Sequence, residues 1–206
     1  MRMRKKKNLV PRLEACSEFF ETSKPSEWRR NKNAPLYLEI GCGKGKFCTE
    51  SAADMPECEF VACEREKNVI VLAAEKAKNL GLKNLRFIAA DAVSLKDYFA
   101  EGEVDRIYLN FSDPWPPKKQ WKRRLTHRNV LKEYDSVLKS GGELFFKTDN
   151  EAFFEFTKEE LSSCGYEIRW FTDDLHAENV PNVTTEYEEN FASKGIKIHK
   201  LEAVKK

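Results

Sequence analysis

The chain has 206 residues, 41% of them apolar and 34% charged, with a formal net charge of +2. That is the make-up of a folded globular protein of about one domain's size, not of a disordered tail. A net charge so small excludes attraction to a polyanion by the whole-molecule field, so such a partner would have to meet a segregated basic patch.

Residues 1–34 read as a basic arm, carrying Pro11, Pro25 and Trp28-Arg29-Arg30, with one short helix near 12–21. Its start, M-R-M-R-K-K-K-N-L-V-P, lacks the apolar stretch of a secretory signal. From residue 35 to 206 a single domain is expected. L-Y-L-E-I (36–40) predicts a strand, G-C-G-K-G (41–45) a turn, and K-F-C-T-E-S-A-A-D (46–54) a helix. A second strand follows at 59–64, then a helix over 68–80 with Gly81 as its stop. A third strand at 84–91 leads to a short helix near 93–100, and a fourth strand spans 104–110. A helix over 127–139, closed by Gly141 and Gly142, precedes a fifth strand at 143–149 and a helix at 153–161. Two last strands, 166–172 and 194–203, are separated by a polar stretch.

Strands alternating with helices argue an α/β fold. It is expected to be a doubly wound, Rossmann-like, seven-stranded, mostly parallel sheet, with an antiparallel last strand and helices on both faces. No stretch of about 20 apolar residues is present, so no membrane span is expected. The six cysteines form no C-x-x-C pair and the three histidines lie far apart. No metal site is therefore expected, and reduced thiols suit a cytoplasmic protein. Helix surfaces leave monomer and homodimer equally open.

In such a sheet a ligand binds beyond the carboxyl ends of the strands. Glu39, Gly41, Gly43 and Gly45 fall there, as do Glu64, Asp91 with Ala92, and Asp113. Taken alone, the glycines could make a tight turn and Glu64 could be a solvated strand end. Together they predict a nucleoside-bearing cofactor. The dinucleotide fingerprint requires a third glycine at position 46, where Lys46 stands. A pyrophosphate would also be repelled by Glu39. S-adenosylmethionine, which carries a sulfonium and an ammonium but no phosphate, suits these acids. Glu39 would hold its methionine end, Glu64 its ribose and Asp91 its adenine. The E-x-G-x-G-x-G run resembles the class I methyltransferases that use this donor.

The loop N-F-S-D-P-W-P-P-K-K-Q-W-K-R-R-L (110–125) follows the fourth strand. Asp113-Pro114-Trp115-Pro116 is not the D-P-P-aromatic signature of amine-methylating enzymes. A ring nitrogen such as guanine N7 needs no deprotonation, only alignment and relief of the charge that develops on the base. Lys118, Lys119, Lys122, Arg123 and Arg124, with Arg128 behind them, would meet phosphates, and Trp121 would stack on a base. The bland alternative is a solvated charge run with Trp121 packed down.

L-E-I-G-C-G-K-G, A-C-E-R, S-D-P-W-P, K-R-R-L-T, F-K-T-D-N and T-T-E-Y-E occur in that order over residues 36–203. With these motifs the chain resembles the bacterial tRNA (guanine-N7-)-methyltransferases. The resemblance implies methyl transfer to N7 of the variable-loop guanine, position 46 of tRNA. It implies cofactor contacts by Glu39, Glu64, Asp91 and Asp113, with Asp113 also catalytic. Substrate contacts are implied for Asp149, Thr185, Glu186, Tyr187 and Glu188, and RNA contacts for residues 119–124, Gln120 included. Asp149 and Glu188 would accept from guanine N1–H and its 2-amino group. The family reads D-P-W-x-K, whereas Pro117 holds the lysine's place here, so Lys118 is expected to substitute for it. A non-catalytic RNA-binding relic and a nicotinamide-dependent oxidoreductase are the competing readings.

Overall fold

A computed structural model describes residues 8–22, 29, 31–116 and 120–206. The basic start, Trp28, Arg30, Lys118 and Lys119 lie outside the described residues.

Alternation of side chains builds the centre of the sheet. In β1 (Leu36–Ile40), Leu36, Leu38 and Ile40 enter one core, while Tyr37 turns to the opposite one. β2 (Glu59–Cys63) splits in the same way, with Val61 and Cys63 on one side and Phe60 and Ala62 on the other. β3 (Leu85–Ile88), β4 (Val104–Asn110), β5 (Leu138–Thr148), β6 (Tyr166–Thr172) and β7 (His199–Lys205) complete a seven-stranded sheet. Its order is β3-β2-β1-β4-β5-β7-β6, and only β7 runs antiparallel to its neighbours. This is the fold the strand–helix alternation predicts.

Helices cover both faces. α2 (Lys46–Asp54) and α3 (Lys67–Asn79) pack with Phe60, Leu85 and Phe87. α4 (Arg128–Val137), α5 (Glu151–Ser163) and a 3-10 segment at Ala92–Asp97 bury Tyr134, Phe153, Phe154 and Leu95 on the other face. Each such large apolar side chain contributes about 1.5–3 kcal/mol when fully buried. Side-chain caps start α3, α4 and α5: Glu66 accepts from Asn68 N, His127 from Asn129 N and Asn150 from Phe153 N.

The N-terminal segment is part of this packing. α1 (Leu9–Glu14) lies against α3, with Arg12 bidentate to Glu75 at 2.6 Å, and a 3-10 turn at Ser17–Phe19 lies against β3. Phe20 bridges to Phe87, and Glu21 N donates to Phe87 O at 3.0 Å, closing the β3 edge. Elsewhere the boundaries shift. α4 ends at Val137, two residues before the predicted stop, because the chain is already extended at Leu138. The polar stretch before the last strand holds a helix, α6 (Glu186–Ala192), opened by Thr185, whose Oγ1 accepts from Glu188 N. The last strand starts at His199, not 194, since Gly195 turns the chain at φ +69°.

The glycine turn is held against α3. Gly45 caps α2 at φ +83°, and a Cβ there would sit 2.4 Å from Ala73 Cβ. Gly45→Ala should therefore destabilise the protein by about 2–5 kcal/mol, from left-handed strain plus overpacking. Urea unfolding checks this, and an unchanged midpoint would show that α2 and α3 part freely.

Candidate functional site

The order of strands reverses between β1 and β4, so their carboxyl ends open a crevice. Gly41 N and Cys42 N both donate to Cys63 O, at 2.8 and 3.0 Å, which pins the glycine turn to the end of β2. Glu64 stitches the two turns together by accepting from Gly43 N at 3.3 Å and Glu66 N at 2.9 Å. A cleft of about 480 Å³ follows, lined by Gly41, Glu64, Asp91, Ala92, Ser112 and Asp113 among others. Beside it lies a hollow of about 400 Å³ holding Glu39, Gly43, Lys44, Thr185, Glu186 and Tyr187. Gly41 and Phe111 line both.

Glu39 is 2% exposed. Asn110 Nδ2 donates to its Oε1 at 2.9 Å, and its Oε2 has no hydrogen-bond partner. Burial pushes this carboxyl up to about 7, against the pull of Asn110, Lys147 and the Cys48 thiol, with Glu186 pushing the same way as burial. A buried oxygen left bare costs about 1–3 kcal/mol, so it marks a place for a donor. Ser112 Oγ is likewise buried and unpaired at the cleft wall. Burial raises the Cys63 thiol to about 12 and raises Cys48 too, so neither is a nucleophile near neutral pH. Among the described residues no group of acids, cysteines and histidines could hold a metal ion.

The loop after β4 is strained and buttressed. Phe111 and Trp115 have φ of +53° and +26°, a conformation costing about 1–3 kcal/mol for each such residue. Arg124 supplies the counter-force. It is 6% exposed and donates from Nε to Pro114 O at 2.7 Å and from Nη2 to Trp115 O at 2.9 Å. Its guanidinium also sits 4.4 Å from the Phe156 ring centre. Arg124 was expected at phosphates, but it faces inward because two backbone carbonyls of the turned loop need its donors. Trp121 packs edgewise on His127 and Phe156, so its ring is largely committed to the fold. Arg128 pairs with the buried Glu160. Gln120, Lys122 and Arg123 are exposed, and Arg123 stacks 3.8 Å from the Trp115 ring centre.

The expected substrate residues divide. Asp113 is exposed at the cleft, and Asp149 is half-buried at the end of β5. Burial raises the Tyr187 phenol, and the charges of Asp149 and Asp113 raise it further. Glu186 pairs with Lys76 at the rim. Glu188 departs from expectation: it is fully buried and pairs with Lys147 at 3.0 Å, so it does not face an incoming base. Thr185 is occupied as the α6 cap. Asn110, Ser112 and Lys147 were missed as site residues. Asn110 and Ser112 sit in the loop's own opening letters, N-F-S-D, where their polar side chains directly after an apolar strand were the available signal.

A family model described as "Putative methyltransferase" matches residues 33–201. The tRNA (guanine-N(7)-)-methyltransferase of Macrococcus caseolyticus is 47% identical over 171 residues, 82% of this chain and 81% of that one. The enzyme of the same name from Staphylococcus epidermidis is 48% identical over 181 residues, 87% and 84% of the two chains. Among solved structures, the 16S rRNA methyltransferase KamB superposes with a TM-score of 0.69 at 16% identity, covering 89% of this chain and 94% of that one. That likeness extends to the fold alone, whereas the family model's range, 33–201, takes in the glycine turn, the strained loop and the T-T-E-Y-E segment. The chain belongs to the tRNA (guanine-N7-)-methyltransferase family.

Proposed function

We propose that the protein transfers the methyl group of S-adenosylmethionine to N7 of the variable-loop guanine of tRNA, acting in the cytoplasm. The observation that carries this reading is Glu39: a buried carboxyl beside a glycine turn, with one oxygen bare. Such a group suits an ammonium-bearing, phosphate-free donor and opposes a pyrophosphate. Glu64 and Asp91, on the adjoining strand ends, would take ribose hydroxyls and the adenine amino group. Glycines 41, 43 and 45 let the backbone approach, and Ala92 closes the adenine side. When bound, the donor supplies an electrophilic methyl on a sulfonium.

Asp113 would face the base. Methylation at N7 leaves a positive charge on the purine, and a carboxylate already oriented toward it lowers that cost without moving a proton. Asp149 would accept from the base's N1–H or 2-amino edge, and the exposed Tyr187 side chain would border the base. Glu186 and Thr185 would border this pocket, and Lys118 would serve the phosphate side. Lys119, Gln120, Lys122 and Arg123 would follow the RNA backbone. The six free cysteines suit a reducing compartment.

The nucleoside assay tests the whole reading. Unmodified tRNA incubated with methyl-labelled donor should yield label in 7-methylguanosine; label in N6-methyladenosine, or in no nucleoside, would defeat it. Asp113→Asn should lower kcat about 10²–10³-fold and leave donor affinity within a few-fold, as read by calorimetry. An equal loss of donor binding would make Asp113 chiefly a cofactor ligand.

Glu39 should give donor binding a pH signature. With its folded value near 7, the carboxyl is protonated below that pH and must lose its proton to hold an ammonium. Affinity should rise about tenfold per pH unit up to roughly 7 and then level. Glu39→Gln should flatten the profile, and an unchanged slope would place the ammonium elsewhere.

Salt dependence separates the arginines. Lys122→Ala and Arg123→Ala should each reduce the log–log salt slope of tRNA binding by about 0.9. Arg124→Ala should leave that slope intact while lowering kcat and the unfolding midpoint. A reduced slope for Arg124→Ala would return it to the RNA surface.

A further inference from the structure

Lys147 is a lysine in the middle of a sheet, 4% exposed. Buried lysines are rare unless paired. All three of its ammonium protons find acceptors on one segment: Asn182 Oδ1 at 2.6 Å, Val183 O at 2.8 Å and Glu188 Oε2 at 3.0 Å. Asn182 closes the ring by donating from Nδ2 to Glu188 Oε1 at 2.6 Å, and His176 Nε2 lies 3.3 Å from the same oxygen. The network is complete, and it joins β5 to a segment of irregular chain and the first turn of α6.

Replacing a buried ion pair by apolar residues is often neutral for stability, so stability alone does not account for this one. Its position suggests another role. Asn182 and Val183 hold one end of the segment and Glu188 holds the other. Between them run Thr184 to Tyr187, of which Thr185, Glu186 and Tyr187 border the hollow beside the glycine turn. Thr185 opens α6, and the T-x-x-E spacing is that of a capping box. In that motif the glutamate reaches back to the cap; here its carboxylate goes to Lys147. Tyr187 is held from the other side, stacked 4.3 Å from Phe191 and 5.1 Å from Phe111 between ring centres. On the outer face Lys46 binds Thr184 Oγ1 at 2.9 Å and Glu189 at 3.2 Å.

We propose that Lys147 is a positioning residue: through Glu188 and Asn182 it holds the 182–188 segment so that Tyr187 borders the hollow against Phe111, on the loop that carries Asp113. The inference rests on the reading of that pocket as the tRNA guanine site. Glu188 then acts through Lys147 and makes no contact with the base.

The test uses the full chain and three variants. Lys147→Met/Glu188→Leu removes both charges together and should keep the urea midpoint and S-adenosylmethionine affinity within about threefold of wild type in their equilibrium constants. Its KM for tRNA should rise at least tenfold, with kcat reduced. Glu188→Gln keeps the shape but turns its amide nitrogen onto a donor, Lys147 Nζ or Asn182 Nδ2, and leaves the buried ammonium without its counter-charge, so it should raise KM for tRNA as the double variant does and lower the urea midpoint. Asn182→Ala, which spares the ion pair, gives an intermediate loss and serves if the double variant does not fold. Amide hydrogen exchange over 182–190 should accelerate in Asn182→Ala and in the double variant, while β1 to β4 stay protected. This readout needs no substrate. If wild type methylates no guanosine yet exchange responds as stated, the proposed function fails and the latch stands. Wild-type kcat, KM and exchange in both the double variant and Asn182→Ala would reduce the network to a packing detail.

Discussion

Two parallel strands, β1 and β4, end side by side, and one hydrogen bond from Asn110 to Glu39 ties those ends together. Everything at the crevice depends on that tie. A carboxyl this deeply buried would turn away or distort the sheet without a fixed donor. Satisfied on one oxygen only, it stays in place at the wall of the hollow with its other oxygen unpaired. The glycine turn is then held at a set height by Cys63 O and Glu64, and the strained loop after β4 departs from Asn110 itself.

Polar groups withdrawn from solvent recur around this crevice, each satisfied by chain segments that must stay put. Arg124 spends its donors on the Pro114 and Trp115 carbonyls, and Lys147 spends its own on residues 182–188. Both carry positive charge, and both are turned inward. Among the described residues of the run, Lys122 and Arg123 are left exposed. A basic run in the sequence thus divides into a buttress and an exposed pair.

Much of the fold was legible. α2 and β4 have the predicted limits, because the apolar period changes sharply at Gly45 and at Asn110. The rim acids were legible from spacing: Glu39 lies one residue before the end of β1, Glu64 directly after β2, and Asp91 and Asp113 three residues beyond β3 and β4. α6 was not, because E-Y-E-E-N-F-A carries no apolar stripe; only the Thr185–Glu188 spacing hinted at a helix start. The burial of Glu188 was hidden, its partner lying 41 positions away in the chain. The inward turn of Arg124 was hidden for a different reason: its partners are backbone carbonyls, and no side-chain pattern announces them. The packing of residues 8–22 was masked by their polarity, which conceals Leu9, Cys16 and Phe19 among charges.

That short N-terminal piece has a colloidal consequence. By bonding to Phe87 it seals one flank of the sheet, and β6 is the remaining open flank among the described residues. There Glu167 and Arg169 project into water. A second chain adding a strand at that flank would have to strip both of hydration, so growth into stacked ribbons is resisted at one end by a cover and at the other by charge.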